Sequence, residues 1–132
     1  MLTKQMIVIR NDLNMRKGKM VSQGAHASLG ALLKCFRKYS TSDKTTVYQT
    51  EFSEDSYLND WLNNAFTKIC VYVNSETELM DVYNSIPDEI PKVLIIDNGK
   101  TEFNGVPTAT CIGVGPWESK EIDLYTSHLK LL

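Results

Sequence analysis

Four short runs dominated by apolar and β-branched residues, Met6–Arg10, Thr67–Val73, Val93–Ile96 and Thr108–Val114, are set apart by stretches of helical pattern. Runs of four to seven such residues bounded by turn chemistry read as buried strands. The first stretch between them, Lys17–Tyr39, reads as a helix of small and apolar side chains. A second helix is expected over Glu54–Phe66, with Ser53 as its N-cap and Tyr57, Leu58, Trp61, Leu62 and Ala65 at helical spacing as core. Ser75-Glu76-Thr77-Glu78 has the form of a capping box and opens a third helix running to Ile86. A short helix over Glu118–Thr126 and the tail His128–Leu132 follow the last strand, which Gly115-Pro116 closes. Ser40–Gln49, rich in Ser and Thr, reads as an exposed loop. Strands alternating with helices predict an α/β protein: one domain, a four-stranded mixed β-sheet, and helices on both faces. Helical crossovers suit parallel neighbours, and the short link from Val93–Ile96 to Thr108–Val114 suits an antiparallel pair.

Within the first helical stretch, Lys19, Gln23 and His26 follow one another at spacings of four and three residues. At about 100° per residue they share one narrow face. A cation, an amide and an imidazole on one stripe are costly to bury without partners, so the stripe is expected to line a wet, polar site.

Charge sharpens that expectation. The net charge is −2. Residues 1–44 nevertheless carry nine Lys/Arg against two acids, while 45–132 carry five against fourteen. A basic end on an acidic body fits a nucleic-acid-binding edge, because phosphate binding needs local rather than total charge. A dipolar surface of solvated lysines would give the same count. Cys35, Cys70 and Cys111 are odd in number, lie in apolar runs and have no metal-ligand spacing, which predicts inert thiols in a reducing compartment. No run approaches the ~18 apolar residues of a membrane span, and the N-terminal residues lack the form of a signal peptide. A cytoplasmic protein is the expectation.

In open α/β sheets, ligands gather where strands end and helices begin. Three segments have that placement: the loop Lys17-Gly18-Lys19, the turn Asp97-Asn98-Gly99-Lys100-Thr101, and Thr108/Thr110 in the last strand. Each has an ordinary structural reading, with Asp97 capping its own turn, the threonines as strand-edge hydroxyls and His26 as an interior histidine. Together they amount to a lysine, a histidine, an aspartate and several hydroxyls near element ends. No Gly-x-Ser-x-Gly, phosphate-binding glycine loop, dinucleotide fingerprint or metal cluster accompanies them. A hydrolase built from this set would activate water rather than form a covalent intermediate.

Val8-Ile9-Arg10-Asn11-Asp12-Leu13 and Lys17-Gly18-Lys19-Met20-Val21-Ser22-Gln23-Gly24-Ala25-His26-Ala27 resemble the N-terminal signature of the archaeal/eukaryotic-type (type 2) peptidyl-tRNA hydrolases. Val73–Leu79, Asp97-x-Gly99-x-Thr101, Thr108-x-Thr110, Gly113-x-Gly115-Pro116 and His128-Leu129-Lys130-Leu131-Leu132 continue the resemblance in order along the chain. The resemblance implies cleavage of the ester between a peptide and the 3′-terminal ribose of tRNA, without metal or organic cofactor. It also implies a homodimer in many members and no membrane partner. By residue, it implies catalytic roles for Lys19, His26, Asp97, Thr101 and Thr110, leaving open which of Asp97 and His26 is the base. The tRNA is assigned Arg16, Lys17, Gln23, Lys100 and Thr108. Departures from the family pattern are Asn98 and Lys100 in the turn, a loop to Thr110 one residue longer, and a longer Ser40–Phe66 segment. An alternative of another class is a tRNA- or protein-interaction module with weak chemistry; the matched Lys19, His26 and Asp97 favour the enzyme.

Overall fold

The computed structural model describes residues 2–132. Its elements run β1 (Thr3–Arg10), α1 (Lys17–Leu33), β2 (Arg37–Ser40), β3 (Thr46–Gln49), α2 (Tyr57–Asp60), β4 (Lys68–Val73), α3 (Glu76–Ser85), β5 (Lys92–Asp97), β6 (Thr108–Glu118), α4 (Ser119–Thr126) and β7 (Lys130–Leu131). The main sheet has the order β5-β6-β1-β4-β7, with β1–β4 parallel and the other pairings antiparallel.

All four expected strands are present, but the expected count of four is corrected to five. The added strand is β7, only two residues long, which pairs antiparallel with β4 at Val71↔Leu131 and Tyr72↔Lys130. Backbone pairing alone defines it, and two residues carry no periodicity to read. The strand opened by Thr108 also runs past Gly115-Pro116 to Glu118, pairing with Lys4 and Thr3.

Two further expectations shift. The helix from Lys17 ends at Leu33, and Arg37–Ser40 instead forms a two-stranded sheet with Thr46–Gln49, where a loop was expected. This pair buries no core residue, so no apolar alternation advertised it. The Glu54–Phe66 helix shrinks to one turn, Tyr57–Asp60, capped by Ser56 rather than Ser53, and passes into a π-helical turn over Trp61–Ala65. Phe66, at φ 55°, closes it in the left-handed region. Trp61 is still core, as its spacing predicted, and its indole N–H donates to Thr67 O at 2.8 Å. Ser75 caps α3 as read, its Oγ accepting from Glu78 N at 3.0 Å, while the returning bond of the box is shifted by one residue: Glu78 Oε2 accepts from Asn74 N at 2.8 Å rather than from Ser75 N.

Alternation along β1 sends its side chains to two cores. Met6 and Val8 pack with Leu79, Val82, Ile86 and Ile122 under α3 and α4, and Ile7 and Ile9 pack with Ala27 and Cys111 under α1. Helix α1 lies close on β6: a Cβ at Gly113 would stand 2.2 Å from Ala27 O. Only glycine permits that approach, and it holds the helix face bearing Gln23 against the strand bearing Thr110.

Candidate active site

The first two turns of α1, the last residue of β5 and the start of β6 converge at one end of the sheet. Residue Asp97 is paired with Thr108 across β5–β6, but the register slips between Ile95↔Cys111 and Ile96↔Ala109. Thr110 is therefore the extra residue of a bulge. Bulges re-aim side chains. Here Ala109 joins the core under α3 and α4, Cys111 joins the one under α1, and Thr110 turns its hydroxyl to Gln23 on α1.

A chain of hydrogen bonds runs outward from that point. Thr110 Oγ1 donates to Gln23 Oε1 at 2.5 Å, and Gln23 Nε2 donates to Asp97 Oδ1 at 3.3 Å. Lys19 Nζ donates to the same Oδ1 at 2.8 Å and to Thr101 Oγ1 at 3.0 Å. Gly99 N donates to the other carboxylate oxygen at 2.9 Å. An ionised carboxylate only accepts, so the amide must turn its NH2 to Asp97 and its oxygen to Thr110, which must donate. Exposure rises along the chain: Thr110 is 0% and Gln23 1% exposed, the side chains of Asp97 and Lys19 are 11% and 13% exposed, and Thr101 is open to solvent.

Lys19 is the chief reason the Asp97 carboxyl is held below the usual carboxylate range; the Gly99 N–H and the Gln23 amide act in the same direction, against partial desolvation. An anion with three donors is a weak base. It is well suited to fixing an ammonium and an amide in place. Lys19 has three protons and spends two on these partners, leaving one for a ligand. The loop 98–107 walls the site, with the Phe103 ring 5.7 Å from Lys19 Nζ. Glu102 Oε1 stands 3.7 Å from Arg16 Nε, across from the loop that precedes α1. Gly99 lies at φ 78° with Val106 O 2.3 Å from where a Cβ would be, which makes this turn a glycine position.

The structure thus brings Lys19, Gln23, Asp97, Thr101 and Thr110 into one connected cluster. His26 shares their helix but is exposed, without a hydrogen bond among the described residues, about 10 Å along the axis from Lys19 at 1.5 Å per residue. Gln23, expected at the tRNA, instead faces inward. The Thr108 hydroxyl donates to Val106 O at 2.8 Å, within its own loop. Arg16, Lys17 and Lys100 are exposed around the cluster. Arg10 was given no role by the sequence, yet it is largely buried. Its guanidinium grips Asp12 at 2.7 Å and donates to Ala109 O at 3.1 Å, tying β1 to the strand that carries Thr110. A charged residue inside an apolar strand was the signal for it.

None of the thiols competes as a nucleophile. Burial pushes Cys35 and Cys70 up, and Cys111 up to about 12. No group of three or more His, Cys, Asp or Glu side chains among the described residues is arranged to hold a metal ion.

Comparison with known proteins gives this cluster its context. The family model of peptidyl-tRNA hydrolase PTH2 matches residues 3–132. The chain belongs to that family. A peptidyl-tRNA hydrolase from Methanocaldococcus jannaschii is 40% identical over 130 residues, covering 98% of this chain and 99% of its own length. One from Sulfolobus acidocaldarius is 35% identical, covering 98% and 99%. Among solved structures, a protein of unknown function from Agrobacterium tumefaciens strain C58 has a TM-score of 0.51 at 10% identity, covering 100% of this chain and 99% of its own, which speaks to the fold alone. Family membership bears out the resemblance read in the sequence. No helix of this peptidyl-tRNA hydrolase-family chain is long and apolar enough to cross a membrane.

Proposed function

We propose that the chain hydrolyses the ester between a peptide, or an N-blocked aminoacyl group, and the 3′-terminal ribose of tRNA, with water as nucleophile and no acyl-enzyme. The observation that carries this reading is the Lys19–Asp97 contact. It joins residues 78 apart in sequence into a poised cation at the open end of a buried hydrogen-bond chain.

Ester hydrolysis develops negative charge on the carbonyl oxygen. An ammonium already fixed by Asp97 and Thr101 can stabilise that oxyanion through its remaining N–H with little reorganisation. Asp97, held ionised and fully hydrogen-bonded, positions Lys19 and Gln23 rather than taking a proton. The base in this reading is His26, an exposed imidazole two turns beyond Lys19 on α1, which would act on water held between it and the ester. Thr101 has a hydroxyl proton free to orient water or the ribose 2′-OH. The exposed cations Arg16, Lys17 and Lys100 ring the cluster and suit the phosphates of the acceptor end. The reading places the chain in the cytoplasm, a compartment where translation supplies peptidyl-tRNA.

Release of N-acetylated amino acid from N-acetyl-aminoacyl-tRNA tests the reading, with unmodified aminoacyl-tRNA alongside. Lys19→Ala and His26→Ala should each lower kcat by roughly 100-fold or more, the scale of one oxyanion donor or one general base. Asp97→Asn should lower it through a misplaced Lys19. Wild-type protein that binds tRNA without cleaving the acetylated ester would favour the interaction-module alternative. Full activity in His26→Ala would move the base elsewhere.

A further inference from the structure

The β2–β3 hairpin lies outside both apolar cores and outside the catalytic cluster. It projects from the far end of α1, roughly 21 Å from Lys19 along the fourteen residues of helix to Leu33. Residues 34–49 carry Lys34, Arg37, Lys38 and Lys44 against one acid, Asp43, a balance of +3 in a chain of −2. All four cations are exposed, and none forms an ion pair among the described residues. Lys4, Arg10, Lys19 and Lys92 lay their side chains against the protein and meet carboxylates. Lys17, Lys68, Lys100, Lys120 and Lys130 are exposed without such a partner among the described residues but lie scattered along the chain, whereas Lys34, Arg37, Lys38 and Lys44 fall within eleven consecutive residues.

An isolated two-stranded ribbon is marginal in water. This one is braced by its own cations and aromatics rather than by a core. Arg37 stands over the Tyr39 ring at 5.0 Å, and Lys38 over the Tyr48 ring at 5.7 Å across the strand pair. Gln49 Oε1 accepts from Tyr39 Oη at 3.0 Å and Arg37 Nη2 at 3.3 Å. Asp43 is spent on the turn, accepting from Thr41 Oγ1 and Thr45 N. Val47 is the one aliphatic side chain of the two strands and is half-buried, and the exposed Tyr39 and Tyr48 rings lie beneath Arg37 and Lys38, so the hairpin presents charge over its apolar surface. Cations fixed by aromatic faces with no acid of their own complement a polyanion.

We propose that the hairpin is a second RNA-contacting element that takes the phosphate backbone of the tRNA body while the 3′ end occupies the Lys19–Asp97 cluster. The proposal rests on the reading of peptidyl-tRNA as substrate. It adds a contact set at the opposite end of α1 from Arg16 and Lys17. The rigid helix between the two sets spaces them, so only a ligand with duplex beyond its 3′-terminal nucleotides reaches both.

The triple variant Arg37→Gln/Lys38→Gln/Lys44→Gln tests it on two substrates: full-length N-acetyl-aminoacyl-tRNA, and the same acyl ester on the 3′-terminal CCA trinucleotide. The ratio of kcat/KM for the full over the short substrate should fall roughly tenfold, carried by KM, as about three phosphate contacts are lost. Binding of uncharged tRNA should show a log K against log salt slope shallower by about 2–3, at 0.7–0.9 per phosphate. An unchanged ratio and slope would overturn the proposal. So would an equal loss on both substrates, which would mean the hairpin acts through the fold. If wild-type protein cleaves neither substrate, the hydrolase reading fails, and the salt slope still decides whether the hairpin holds RNA.

Discussion

Replacing Thr110 by Val removes the innermost link of the hydrogen-bond chain while keeping its shape nearly constant. The hydroxyl sits 2.5 Å from Gln23 Oε1, and both side chains are almost wholly buried. Without it, that carbonyl oxygen loses its one side-chain donor among the described residues in a site closed to solvent, at a cost of about 1–3 kcal/mol. A methyl cannot stand that close to an oxygen, so the Gln23 amide must retreat. Its bond to Asp97, already 3.3 Å, weakens with it. At about 2.1 cal/mol/K per residue, unfolding this chain carries roughly 0.28 kcal/mol/K, so ~2 kcal/mol lowers Tm by about 7 °C. Loosening one of three donors to Asp97 should lower kcat by about tenfold, or ~1.4 kcal/mol. Thermal unfolding and N-acetyl-aminoacyl-tRNA hydrolysis read the two effects. Repeating Thr110→Val in a Gln23→Met background closes a double-mutant cycle. There the substitution should cost little, since neither partner is then left wanting a bond. A variant with wild-type Tm and kcat would refute the reasoning. So would an equal cost in both backgrounds.

The α1–β6 contact makes a separate prediction: Gly113→Ala puts a methyl 2.2 Å from Ala27 O, so the helix must lift. Both Tm and kcat should drop, by about 1–3 kcal/mol in stability as for other overpacked positions; a crystal structure of the variant with α1 unmoved would contradict it. A third concerns pH. Asp97 titrates lower in the folded chain than its ordinary value near 3.8. The stabilisation from its donors is therefore present above that value and lost as pH falls through the folded one. The Tm gap between wild type and Asp97→Asn should be full at neutrality and begin to narrow only below about pH 4, as the unfolded and then the folded carboxyl takes its proton. A gap that widens as the pH falls below about 4 would assign the effect to something other than the carboxylate's charge.

Much of this protein was legible before its fold was seen. Apolar runs at Met6, Thr67, Val93 and Thr108 marked four strands because each sets apolar side chains against a core and so carries a readable pattern, even at the edge, where Leu94 and Ile95 of β5 are only half-buried. Lys19 and Asp97 were named together through a family signature, and the structure shows them touching. What stayed hidden has physical reasons. Strand β7 and the hairpin are held by backbone pairing and surface cation–aromatic contacts, which leave no hydrophobic period. The π-helical turn after Asp60 keeps Trp61 in the core with the same apolar spacing that an α-helix would use, so the pattern cannot tell them apart. The bulge that turns Thr110 toward Gln23 depends on register with β5, a tertiary quantity. For the same reason Gln23 looked like a surface contact for RNA, though it lies beneath the residues that face it.

The brevity of β7 has a colloidal consequence. A sheet edge is a row of unpaired N–H and C=O groups that can template another chain. The strand inside that edge reads Ile69-Cys70-Val71-Tyr72-Val73, five residues of high β propensity with no charge or proline, the composition that seeds cross-β assembly. Pairing at Val71 and Tyr72, together with the Leu132 N–H donated to Cys70 O at 3.1 Å, caps that run where it is most exposed to a neighbour. In exchange the sheet presents an outer strand too short to recruit one. Two residues of β7 thus guard this edge of the sheet, and partial detachment of the strand would bare a run able to nucleate aggregation.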